Sequence, residues 1–297
     1  MQNYPAPARD MVERMSAAAV AEPARAAAFQ GAPGAYSHQA VRELFPDMLP
    51  LPCTSFEGAI EAVQDGRAAV AVIPIENSQH GRVADIHFLL PESGLHITRE
   101  HFVRVSHCLL APRGTKRSDI REAVSHPQAL GQCRRRLAGW EIAQRSHFDT
   151  AAAAALVAET GDRRLAAVGS SLAGELYDLE PVETAIEDAA HNTTRFVALS
   201  REAEEPALEE DVMTTLTFEV RSVPAALFKA LGGFATNGIN LTKLESYMRD
   251  GRFQAAEFYV DIEGRPSDAA VKRALDELAH FTKWVRIIGT YPRARAR

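Results

Sequence analysis

The sequence predicts two units in series: a parallel α/β unit, then a smaller βαββαβ unit of ferredoxin-like order, an α+β fold. Three observations predict this. Between residues 26 and 200, short apolar runs stop at small or polar residues and helical patterns follow them. The stretch "SREAEEPALEEDV", 200–212, has seven charged residues in thirteen and a proline, as a linker does. Beyond it, strand-like and helix-like segments alternate compactly.

In chain order, residues 1–25 read as a loosely ordered or helical tail, and 26–200 as the larger unit. "AAAFQG" is an apolar strand ending in a glycine turn, before a helical stretch from Ser37 to Phe45. "AAVAVIPIEN" is a buried-strand run, and "EAVSHPQ" and "RRLAAVGSS" repeat the arrangement. Strands alternating with helices argue for a parallel sheet. Ligands of such sheets sit outside the carboxyl ends of the strands, so the polar residues that end these runs mark the place for chemistry. Residues 201–211 form the linker and 212–292 the smaller unit, followed by a short tail, 293–297. In the smaller unit "MTTLTFEV" alternates like a strand and "PAALFKALGGFATNG" reads as a helix between Pro224 and Gly238. "NLTKLESYM" and "FQAAEFYVDIEG" are strand-like, "SDAAVKRALDELAHF" is a helix with Ser267 at its N-cap, and "WVRIIGTYP" is a last strand.

Composition narrows the function classes. The 297 residues are 46% hydrophobic and 24% charged, ordinary for a globular chain, and 33 basic against 39 acidic residues give a net charge of -6. That is not the footprint of a nucleic-acid binder. Arg134, Arg135 and Arg136 form one basic cluster, expected on a solvated face. Cys53, Cys108 and Cys133 are odd in number and widely spaced, which predicts free thiols in a reducing compartment. Charges through the first 25 residues break any signal-peptide core, and no apolar stretch is long enough to span a membrane. The expected location is the cytoplasm.

Four junctions carry polar groups. "GAPGAYSHQA", 31–40, places Ser37 to cap a helix whose free backbone N–H groups suit an anion. "IPIENSQHG" runs an apolar strand into Glu76, Asn77 and Ser78. "SHPQALGQC" and "FDTAAAA" put polar residues at helix mouths, with Thr150 as an N-cap. In "HNTTRF" an extended backbone would turn Thr193 and Thr194 to opposite sides. Histidines such as His80, His126 and His191 fall near these junctions without metal-ligand spacing, and there is no nucleophile elbow or phosphate loop. No metal and no cofactor are expected.

Together, "GAPGAYSHQA", "IPIENSQHG", "SHPQALGQC", "DTAAAA", "AAVGSSLAGELYDL" and "NTTRF" resemble the ordered motifs of prephenate dehydratase, over about Ala26 to Leu199. "VPAALFKALGGFATNGINLTKLES" is similar to the regulatory ACT domain that follows the catalytic unit in that family. The resemblance implies a two-lobed catalytic unit like a periplasmic binding protein, with its site between the lobes. It implies decarboxylative dehydration of prephenate to phenylpyruvate in phenylalanine biosynthesis, with feedback by phenylalanine and a homodimer or homotetramer. It places the essential hydroxyl on Thr194. Arg195, whose planar fork suits a carboxylate, is expected to bind substrate with Phe196, Thr193, Asn77, Ser78, Ser37, Thr150 and Glu76. Glu76 is the awkward member, because a carboxylate repels a dianion unless protonated or paired. The effector groups are expected from Pro224, Ala225, Ala226 and Leu227, with Asn240, Leu241, Glu245 and Ser246.

Some positions depart from the family pattern. Gly-Ala-Leu is here Ala225, Ala226, Leu227; Glu-Ser-Arg-Pro is Glu245, Ser246, Tyr247, Met248; and a serine before "TAAAA" is Asp149. The alternatives are an arogenate dehydratase on the same fold and a non-catalytic amino-acid sensor. Arogenate carries an ammonium where prephenate has a keto group, so an acid near the side-chain pocket would favour it.

Overall fold

A computed structural model describes residues 4–189, 191–247 and 257–294. They cluster into two units, Met1–Val83 with His101–Phe196, and Ala84–Glu100 with Val197–Arg297. Through residue 200 the elements run α1 (Ala6–Ala21), β1 (Ala26–Gln30), α2 (Tyr36–Leu44), β2 (Leu49–Cys53), α3 (Phe56–Gln64), β3 (Val70–Asn77) and the short β4 (Gly81–Arg82). There follow α4 (Ala84–Glu92), β5 (His96–Arg104), β6 (Cys108–Pro112), β7 (Glu122–Ser125), α5 (Pro127–Gln132), α6 (Arg134–Gly139) and β8 (Ala143–Ser146). Next are α7 (Thr150–Thr160), β9 (Leu165–Gly169), α8 (Ser171–Leu176), β10 (Leu179–Glu183) and β11 (Thr193–Ser200). The remainder is β12 (Val212–Val220), α9 (Ala226–Thr236), β13 (Leu241–Tyr247), β14 (Glu257–Glu263), α10 (Ala269–Phe281) and β15 (Thr282–Pro292).

Residues 26–200 carry two α/β sheets. One sheet has the order β2-β1-β3-β11-β5 and the other β10-β6-β9-β7-β8. The parallel pairing expected from the sequence holds for β2-β1-β3 and for β8-β7-β9. The added strands β4, β6 and β10 pair antiparallel, so each sheet is mixed. Pro50 and Pro52 are accommodated because β2 is an edge strand, where a missing N–H costs no ladder bond.

The N-terminal segment takes the helical of its two expected forms. α1 buries Ala8, Val12 and Ala19, and Ala8 and Val12 join Ala151, Ala154 and Val157 of α7 in one apolar cluster. Between the lobes the turn Pro33–Gly34 is clamped: Ser170 Oγ donates to Gly34 O at 2.6 Å and Tyr177 Oη to Pro33 O at 2.8 Å. Gly34 has φ +95°, and a Cβ there would lie 2.8 Å from Ala173 Cα, so only glycine fits.

In the second unit β13-β14-β12-β15 form an antiparallel sheet in ferredoxin-like order. α9 and α10 supply Phe234, Ala274 and Leu278 to its core, against Phe218, Phe258 and Val260. Ala84–Glu100 and the end of β11 cluster with this unit. The reason is packing: the His87 ring of α4 meets Tyr259 edge-on at 5.0 Å, and Phe88 meets Tyr247 at 5.7 Å. A Cβ on Gly289 of β15 would collide with Ile97 O, so backbone approaches backbone there. The linker is held too, with Arg265 donating to Pro206 O, Ala207 O and Glu210 O. The cap of α10 is Asp268, not Ser267. Residues 248–256, where one predicted strand ends and the next begins, lie outside the described residues.

Candidate active site

The site lies within the first unit, in a cavity of about 530 Å³, a size typical of small-molecule sites. Thr194 and Phe196 line it, and the strand's two-residue period sends Thr193 and Arg195 the other way. Arg195 is 1% exposed, and its Nη1 donates to Glu76 Oε1 at 3.0 Å. This corrects two expectations together. Arg195 does not face the cavity to bind substrate, and Glu76 is neutralised by pairing instead of meeting the substrate. Ser78 and Thr193 also turn out to hold the backbone: Thr193 N donates to Ser78 Oγ at 3.0 Å and Ser78 N to Thr193 O at 2.9 Å.

Asn77 organises the wall. Its Oδ1 accepts from Gln79 N at 2.9 Å and His80 N at 3.1 Å, fixing the turn into β4. Its Nδ2 donates to Asn192 Oδ1 at 2.7 Å and to Thr194 Oγ1 at 3.0 Å. Two donors and two acceptors exhaust the amide. Thr194 therefore accepts from Asn77, and among the described residues its own O–H has no protein acceptor. Accepting a hydrogen bond makes a hydroxyl a better donor. Asn192, buried at 1% exposure, is a member of this set that the sequence reading passed over although it quoted the motif.

Ser37 and Thr150 both line the cavity, but neither is the helix cap it was expected to be. α2 begins at Tyr36 after Ala35, which makes no side-chain cap bond, so its first-turn N–H groups and the Ser37 hydroxyl stand at the cavity. α7 is capped by Asp149, whose Oδ1 accepts from Ala152 N at 2.8 Å. That displaces Thr150 to the first helical position.

Further side chains meet across the lobes. Tyr36 Oη lies 3.0 Å from His107 Nδ1, His107 Nε2 lies 2.7 Å from Gln132 Oε1, and Gln132 Nε2 lies 2.9 Å from His80 Nε2. Burial lowers the His107 pKa against the pull of the Gln132 hydrogen bond, and burial holds the Tyr36 phenol well above its ordinary value. Arg82 of β4 is the one arginine among the described residues lining the cavity. The position two residues beyond His80 gave no periodic signal in the sequence.

Comparison with known proteins places this geometry. A family model described as prephenate dehydratase matches residues 27–204. The chain belongs to the prephenate dehydratase family. It is 49% identical over 269 residues to the bifunctional N-acyl-homoserine lactone acylase/prephenate dehydratase of Komagataeibacter europaeus, covering 90% of this chain and 96% of that protein. With arogenate dehydratase/prephenate dehydratase 1, chloroplastic, of Arabidopsis thaliana it shares 38% identity over 278 residues, 89% of this chain and 71% of that one. Among solved structures it resembles prephenate dehydratase of Arthrobacter aurescens in complex with L-Phe, at TM-score 0.82 and 30% identity, covering 91% of this chain and 90% of the other. The chain thus has the fold of prephenate dehydratases. No helix among the described residues is long and apolar enough to cross a membrane.

The candidate effector residues stand apart within one chain. Pro224, Ala225, Ala226 and Leu227 open α9, while Asn240 and Leu241 follow its other end. The helix beyond Leu227 separates these two groups by about 14 Å. Glu245 and Ser246 lie toward the far end of β13.

Proposed function

We propose that this member of the family is a prephenate dehydratase with Thr194 as its catalytic hydroxyl. The observation that carries the reading is the Asn77 Nδ2 to Thr194 Oγ1 bond at 3.0 Å on the cavity wall. In the reaction the bond from the ring to one carboxylate breaks and carbon dioxide leaves. The electron pair enters the ring, which aromatises as the C–O bond to the ring hydroxyl breaks. The departing oxygen leaves as hydroxide, and protonation makes it water. The substrate supplies the driving force, so the protein has to orient a dianion and stabilise the leaving oxygen. Thr194, with Asn77 already bonded to its oxygen, directs its O–H at that atom. Arg82, the Ser37 and Thr150 hydroxyls and the first-turn N–H groups of α2 are suited to the carboxylates.

The C-terminal unit acts as an ACT domain that senses phenylalanine. The resemblance to paired ACT domains supports an effector site where two copies of this unit meet, in a homodimer or a higher oligomer in the cytoplasm. The test is phenylpyruvate formation from prephenate with and without phenylalanine; absence of product refutes the dehydratase reading. One relative's name motivates a parallel measurement with an N-acyl-homoserine lactone, where release of homoserine lactone would add an acylase activity.

A further inference from the structure

The cavity wall carries a charge that its structural duty does not require. Asp149 caps α7 through Oδ1, while Oδ2 meets Ala32 N at only 3.4 Å, the far limit of a hydrogen bond. A neutral oxygen caps equally well in this chain: Ser55 accepts from Gly58 N at the start of α3, and Ser170 from Ala173 N at the start of α8. Asp149 is half-buried and lines the same cavity as Ser37, Thr150 and Thr194. It takes part in no salt bridge among the described residues. His147 contacts only its backbone, with Nδ1 3.0 Å from Asp149 O and 3.4 Å from Asp149 N. A carboxylate with spare acceptor capacity in a concave wall repels an anion and attracts a cation.

The two substrates of the family's dehydratases differ at one place that this charge can read. The side chain of prephenate has a keto group, and that of arogenate has an ammonium. We infer that Asp149 is a specificity-determining residue, which receives the ammonium of arogenate and makes it a substrate of this cleft. The inference rests on the dehydratase reading above. The bond changes are those of the prephenate reaction: carbon dioxide is lost, the ring aromatises, and the ring hydroxyl departs to become water. The amine is untouched, so the product is phenylalanine. Asp149 takes no part in these steps; it holds the ammonium that sets the side chain, while Thr194 faces the leaving oxygen.

The experiment uses the full chain. kcat/KM is measured for arogenate and for prephenate with wild type, Asp149→Ser, Asp149→Asn and Thr194→Ala, and each variant's melting temperature is recorded. Asp149→Ser keeps a capping oxygen and Asp149→Asn keeps both the cap and the volume, so one remains informative if the other folds poorly. The expected result is a fall of about 10- to 100-fold in the arogenate-to-prephenate ratio, the range for one hydrogen bond to a charged group, with prephenate kcat/KM rising. A ratio that stays at the wild-type value, or two rates that fall in parallel, overturns the inference and leaves Asp149 as a helix cap. So does a wild type that converts prephenate but no arogenate. If wild type converts neither substrate, the dehydratase reading fails and this inference falls with it. If Thr194→Ala abolishes both activities while the Asp149 ratio is unmoved, only the inference fails.

Discussion

The cleft of the first unit and the effector region of the second solve opposite problems. In the cleft every hydrogen-bonding group of Asn77 is used at short range, so the Thr194 hydroxyl is held with one direction left to donate. In the second unit the signature residues are spread over both ends of α9 and the end of β13, only half of them are exposed, and Ala225 sits at φ +59°. A site that must stabilise a transition state is preorganised within one chain. A site that must report on an effector is left incomplete until something else is added.

The largest effect should come from the cleft. Thr194→Ala is expected to fold normally and to lose roughly 10²–10³ in kcat, about 3–4 kcal/mol, as for the loss of one positioned donor. KM should change far less. Steady-state kinetics beside a thermal melt test this, and near-full kcat would remove Thr194 from the chemistry.

Next comes a contrast inside the same strand. Arg195 neighbours Thr194 but is buried against Glu76, whose side chain is 29% exposed. Arg195→Met should cost about 3 kcal/mol of stability, because it removes the buried half of an ion pair. Denaturant unfolding should show the loss, with KM for prephenate unchanged in whatever folds. A large rise in KM with no loss of stability would restore Arg195 as a substrate ligand.

This pair also shows how much was legible in the sequence. The period-two rule that sends Thr193 and Thr194 to opposite faces also sends Arg195 away from Thr194, yet the appeal of a guanidinium for a dianion overrode it. The apolar runs of β1, β3, β7 and β9 were legible because both faces of those strands are covered. β8, "AQRS", is exposed throughout and β2 is interrupted by two prolines, so neither offers a period to find. The antiparallel β6 and β10 could not be told from parallel strands, since periodicity does not encode a partner's direction. The caps were misplaced by one or two residues because a cap is fixed by which oxygen reaches an N–H two or three residues on. Asp149 wins that contest over Thr150, and at α2 no side chain enters it.

A third measurement probes the support of the cleft. His38 stacks on Phe29 at 4.9 Å, its Nδ1 accepts from Gly34 N at 3.1 Å, and burial lowers its pKa from 6.5 to about 4. The folded state therefore binds fewer protons than the unfolded chain between these values. The stability due to neutral His38 is complete above pH 6.5 and is lost as pH falls toward about 4. Its size is about 3 kcal/mol. His38→Gln, which keeps an acceptor for Gly34 N, should flatten melting temperature against pH across that window. An unaltered slope would assign the acid sensitivity to other groups.

The smallest effect belongs to the second unit and bears on its incompleteness. Ala225 is exposed, caps α9 without a side-chain bond, and lies in the left-handed region that costs a residue with a Cβ roughly 1–2 kcal/mol. Ala225→Gly relieves that cost but gives the unfolded chain more freedom, worth about 0.5–1 kcal/mol the other way. The net expectation is a stabilisation of about 0.5–1 kcal/mol, which denaturant unfolding followed at Trp284, on β15 of the same unit, can resolve. The same substitution removes a methyl group from the position where the resembling regulatory motif has glycine. If α9 opens on the effector, phenylalanine should bind Ala225→Gly more tightly than wild type in calorimetry. Stabilisation without any change in phenylalanine affinity would mean that the left-handed turn only starts a helix, and that the effector groups must be sought on β13.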